Sequence, residues 1–184
     1  MKKVSILILV LIMALQLVGC ACQRTPDPTD PTQSTQSTQT GVITPDVKEN
    51  STAAKLWAEF EQAVTQNNDA APKDIASILV ERMADTFFGE ATQLEKDAEF
   101  FTGFDNYKIT GYKDGAVYMP MMGSIAFVGY VFELEDTIDP SAFLKSLTDN
   151  CNPRWNICVE ADQTVAGAIG NRVFFLMCPK NMGQ

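Results

Sequence analysis

The stretch "GSIAFVGYVFELED", residues 123–136, constrains the fold more than any other part of the chain. Read as a strand, it places Val128, Tyr130, Phe132 and Leu134 on one face and Phe127, Val131, Glu133 and Glu135 on the other. The first face is wholly apolar and the second turns polar toward its end, as expected of an inner strand with helices on one side. The remaining residues must supply that strand with neighbours and cover.

Two amphipathic helices precede it. In "TAAKLWAEFEQAVTQ", residues 52–66, Ala53, Leu56, Trp57, Phe60, Ala63 and Val64 recur at spacings of three and four, with Ser51 or Thr52 as cap. The pattern returns from Pro72 to Gly89 through Ile75, Ile78, Leu79, Met83 and Phe87. From Asn106 the signals turn to strands, and Asp114-Gly115 lies between β-prone residues as a tight hairpin turn would. After the long strand, Asp139-Pro140 caps a helix whose Phe143, Leu144 and Leu147 face inward. "NICVEA" predicts a further strand, and "TVAGAIGNRVFFLMC" a hairpin around Gly170-Asn171, ended by Pro179. The predicted fold is α+β: a two-layer sandwich of an antiparallel sheet with helices packed mainly on one face.

The first residues have a different character. Lys2 and Lys3 precede an apolar run from Val4 to Leu15, followed by Leu17-Val18-Gly19-Cys20. This is the layout of a secretory signal peptide over residues 1–19, the apolar run being shorter than the ~20 residues a membrane-spanning helix needs. Residues 20–48, rich in Thr, Ser, Gln and Pro, bury too little apolar surface to offset their ordering entropy. They read as a disordered tether with a reach on the order of 30 Å. Residues 49–184 then make a single extracytoplasmic domain.

Leu17 to Cys20 resembles the bacterial lipobox, which implies that Cys20 becomes the lipidated first residue and anchors the protein to a membrane with no transmembrane helix. Together with the Thr/Ser/Pro tether, "YMPMM" at 118–122, the strand "IAFVGYVFELED" and "GNRVFFLMC" at 170–178, the chain resembles a family of small lipoproteins of unknown function common in Clostridia-type bacteria. It departs from the family pattern at Gly123-Ser124, where the family carries an acid, and in its cysteine pair. The resemblance implies a surface-anchored α+β domain and carries over no catalytic residue.

Charge and composition exclude more than they assign. The chain carries a net charge of −9, and loss of Lys2 and Lys3 with the leader takes it to −11, a poor match for nucleic acid or anionic headgroups. There is no histidine, which removes Ser-His-Asp and Cys-His activation and the usual zinc hydrolase ligand sets. Six residues separate Cys151 from Cys158, too many for a paired zinc site or a C-x-x-C redox motif, so no metal or cofactor is implied.

Three candidate constellations remain. Cys151 and Cys158 bracket "CNPRWNIC" and can close a loop worth roughly 2–3 kcal/mol outside the cytoplasm; Cys158 with Cys178 and unpaired buried thiols are the competing readings. Asn152, Arg154, Trp155 and Asn156 combine residue types of recognition loops, against a reading in which Trp155 anchors the loop and Arg154 pairs with an acid. Glu133 and Glu135, about 7 Å apart on one strand face, have a spacing used on glycosidic bonds, against a solvated polar strand end. The functional expectation is a lipid-anchored surface protein with a non-enzymatic binding or envelope role toward an extracellular ligand or envelope protein. The alternative is a carboxylate-dependent hydrolase of cell-wall or dietary glycans. Nothing in the pattern sets an oligomeric state.

Overall fold

A computed structural model describes residues 41–156 and 158–182, and the fold begins earlier than composition predicts. Val42–Ile43 form a short strand, β1, that joins the sheet with Val42 opposite Ile169. Pro45 is buried, its ring lying 2.7 Å from where a Cβ on Gly167 would stand. Val42, Ile43, Pro45 and Val47, expected to belong to the tether that runs to residue 48, therefore take part in the fold. The leader, Cys20, Cys22 and tether residues 23–40 lie outside the described residues.

Helix α1, Thr52–Gln66, has the predicted bounds, with the Ser51 side chain accepting from the Ala54 N–H. Helix α2, Pro72–Arg82, starts at the predicted proline but ends before Gly89. Thr86 and Phe87 both donate their N–H groups to the Met83 carbonyl, which closes a turn, and Met83 and Phe87 stay buried. Ile78, expected on the inner face, is exposed.

The sheet adds β2 (Gly89–Gln93), β3 (Tyr112–Pro120), β4 (Val128–Leu134), β5 (Gln163–Ile169) and β6 (Arg172–Cys178), with helix α3 (Pro140–Asn150) between β4 and β5. Its order is β1-β5-β6-β4-β3-β2, and every neighbouring pair is antiparallel. The α+β class with an antiparallel sheet is as predicted. Two of the three helices share a face: α1 and α2 bury Trp57, Phe60, Ile75 and Leu79 against Phe127, Val131 and Phe174. The opposite face is covered as well, because α3 and the irregular segment carrying Phe101, Phe104 and Ile109 pack on Val128, Tyr130, Phe132, Leu134 and Phe175. Strand β4 alternates as its sequence predicts, and its two faces feed two separate apolar clusters. At Gly129 there is no room for a side chain, since a Cβ would overlap the buried Tyr118 ring of the neighbouring strand.

Three local expectations fail. Asp114-Gly115 is not a turn: both residues lie inside β3, where the register slips between Tyr112 and Asp114. The Asp114 carboxylate accepts from the Gly115 N–H, and the Gln93 amide donates to Asp114 and to the Gly115 carbonyl, so turn chemistry is spent on a bulge. The partner strand is Gly89–Gln93, which has no β-branched alternation to announce it, rather than the residues from Asn106 onward. The described residues of "NICVEA" are not in a strand either, and β5 already has β1 and β6 on its two sides. Two of its N–H groups bond locally instead: Val159 donates to the Asn156 carbonyl and Ala161 to the Pro153 carbonyl. The hairpin at Gly170-Asn171 is as predicted, with Ile169 opposite Arg172 and Gly170 at φ +59°.

Candidate functional site

The segment from Cys151 to Glu160 leaves α3 and ties together three parts of the fold. Asn152 donates its backbone N–H to the Gly103 carbonyl at 2.7 Å and its side-chain amide to both Asp105 oxygens at 3.0 and 3.1 Å. Its own Oδ1 accepts from the Arg154 N–H at 2.9 Å. Asn156 donates to the Gly123 carbonyl, joining the loop before β4. Trp155 is half-buried against the second apolar cluster, and Arg154 Nε lies 3.3 Å from Glu160 Oε2, both side chains in solvent. Of the four residues weighed as a recognition loop, Asn152, Trp155 and Asn156 hold the loop, and Arg154 alone keeps an exposed head in a weak ion pair.

The Cys151–Cys158 bridge is not formed. Cys151, Cys158 and Cys178 are free thiols, respectively half-buried, exposed and buried. Cys151 packs with the cluster under α3 and Cys178 with the cluster under α1 and α2, so the sheet separates them. Cys158 is not on a strand beside Cys178, which removes the competing pairing. Burial pushes the Cys178 thiol up to about 12 and raises that of Cys151. Since the thiolate is the reactive form, maleimide labelling located by peptide mass spectrometry at pH 7 is expected to mark Cys158 first, Cys151 more slowly, and Cys178 only after denaturant is added. Protection of Cys151 and Cys158 together, reversed by reductant, would show a bridge instead.

Glu133 is held between two cations. Lys113 Nζ donates to Oε1 at 2.8 Å, and Arg172 Nη1 stands 3.0 Å from Oε2 without an aligned hydrogen bond. Arg172 Nη2 donates to the Asn68 carbonyl at 3.3 Å, and the residue is buried. The hydrogen bond from Lys113 to Glu133 holds the ammonium above the ordinary lysine range. Glu135 lies beyond the end of β4, with its backbone N–H on the Gly111 carbonyl. It lines a shallow open depression of about 570 Å³ with Asp136, Asp139, Ile138 and Asn171, to which Glu133 does not contribute. The two glutamates therefore do not share a recess, and among the described residues that depression has no aromatic wall. Among the described residues, no three Cys, Asp or Glu side chains converge as metal ligands.

What sequence reasoning did not single out is a group of large apolar side chains left in water at the β2–β3 end. Phe88 is 79% exposed, Met122 77% and Met121 59%, and the Met121 N–H donates to the Phe88 carbonyl at 3.0 Å. The signal was present in "FF" and "MPMM", but a run of apolar residues does not say which of them stays outside. No family model, curated protein or solved structure matches this chain.

Proposed function

We propose that the protein is a surface lipoprotein: Cys20 carries the lipid, the Thr/Ser/Gln/Pro-rich segment holds the domain off the bilayer, and the domain binds an extracellular or envelope partner without catalysing a reaction. The observation that carries this reading is the order Lys2-Lys3, apolar Val4 to Leu15, then Leu17-Val18-Gly19-Cys20 ahead of a segment that cannot fold alone. Binding is favoured over glycan hydrolysis because Glu133 is engaged by Arg172 and Lys113, whereas Phe88, Met121 and Met122 are exposed with no internal use.

The anchor is tested by growing cells with an alkyne fatty acid and following the label. The wild-type chain is expected to carry the label on its Cys20 peptide and to fractionate with membranes, and Cys20→Ala to lose the label. Label retained by Cys20→Ala, or a wild-type chain whose Cys20 thiol is free, would remove the lipid from the proposal.

A further inference from the structure

We propose that the free edge of β2 takes up an extended cationic segment of a partner protein as an additional strand. This gives the binding role proposed above a partner class, and rests on the domain being a binding module but not on the lipid. The two edges of the sheet differ. β1 has two residues, whereas β2 has five in an unbroken register, with no proline, no lysine and no bulge of its own. Those are three of the devices by which edges are kept from pairing.

The hydrogen-bond parity of the edge follows from its two ends. Met121 donates to the Phe88 carbonyl, and Leu94 donates to the Gly115 carbonyl, so even-numbered residues turn their backbone groups toward β3. Gly89, Ala91 and Gln93 turn theirs away, and none of these groups has a partner among the described residues. An added strand would find donors and acceptors at alternate residues. Its side chains at one end would meet Phe88, whose ring carries exposed apolar surface.

Charge selects the occupant. The edge is flanked by Asp85, Glu90, Glu95, Asp97 and Glu99 against Lys96, all exposed, and none of these acids is in an ion pair among the described residues. A second copy would set the same acids against one another, so β2 pairing with β2 is opposed, and a cationic strand is attracted.

The test uses the full chain and a fluorescent, end-blocked peptide of seven alternating Lys and Val residues. Saturable binding that weakens with salt is expected, with a loss of about tenfold or more for a peptide N-methylated at alternate residues and for a Glu/Val peptide. In Ala91→Pro the missing N–H is one that β3 does not use, so the native ladder remains and binding should fall by a similar factor. The Glu90→Lys/Glu95→Lys pair, whose side chains are exposed, should do the same whether or not the proline variant folds. Absence of saturable binding to the wild type up to about 1 mM would overturn the proposal. Equal binding of the N-methylated peptide, or unchanged binding by the charge-reversed pair, would also overturn it. In either of those last two cases the binding role would survive and only the β2 edge would be removed.

Discussion

Glu133→Ala is expected to lower the stability of the domain by about 3 kcal/mol, read as a fall in the urea midpoint with an unchanged slope. The loss arises almost entirely from Arg172. Its side chain is 10% exposed and, among the described residues, its charge is met only by Glu133 Oε2 at 3.0 Å and the Asn68 carbonyl at 3.3 Å. Removing the carboxylate leaves a guanidinium out of water with a single neutral partner. Lys113, on the other side of Glu133, has its ammonium in solvent, so Lys113→Ala should leave the midpoint almost unmoved. The paired change Glu133→Leu with Arg172→Met should recover most of the loss, because a buried ion pair replaced as a whole by apolar groups is often neutral. If Glu133→Ala proved as stable as the wild type, Arg172 would have to reach water, and the description of this network would be wrong.

The second large effect lies in the cluster under α1 and α2. Phe174→Ala is expected to cost about 4 kcal/mol, within the range for truncating a fully buried phenylalanine. Phe174 sits on β6 with no exposure, its ring centroid 5.7 Å from Trp57 and 5.4 Å from Phe60, which themselves lie 5.4 Å apart. The three rings join α1 to the centre of the sheet, so neighbours on a helix and a strand would have to move together to fill the gap. Phe174→Leu keeps more of the volume and should cost less. Phe88→Ala, on an exposed ring, should stay within about 0.5 kcal/mol of the wild type, and urea titrations of the three variants check the order. A Phe174→Ala domain with a native midpoint would mean that this face of the sheet is not closely packed.

The parts of the fold that were legible before the structure have a common character. Ser51 caps α1 and Asp139 caps α3 as their positions predict, and Gly170-Asn171 turns between β5 and β6. The two faces of β4 separate into two clusters as alternation requires. Each of these depends on contacts within about four residues or on the two-residue period of a strand. Asp114-Gly115 has the same local chemistry and misled, because Gln93 and the pairing of β2 with β3 draw those residues into a bulge. The CNPRWNIC loop was partly legible. That Trp155 would anchor it and Arg154 meet an acid were readings open from residue types alone, whereas the attachment of Asn152 to Asp105 crosses 47 residues and has no local trace.

The amino-acid sequence by itself determined where the helices and the central strand form, which of their faces are apolar, and that histidine chemistry is absent, because periodicity, capping and composition act over a few residues. Only the tertiary structure decided that β2 forms an edge, that Glu133 answers to Arg172 and Lys113 rather than to Glu135, that Cys151 and Cys178 lie on opposite sides of the sheet, and that Phe88 and Met121 remain in water. The reason is physical: pairing, burial and charge compensation are settled between segments far apart in the chain, where each group takes the best partner that the assembled sheet brings within reach.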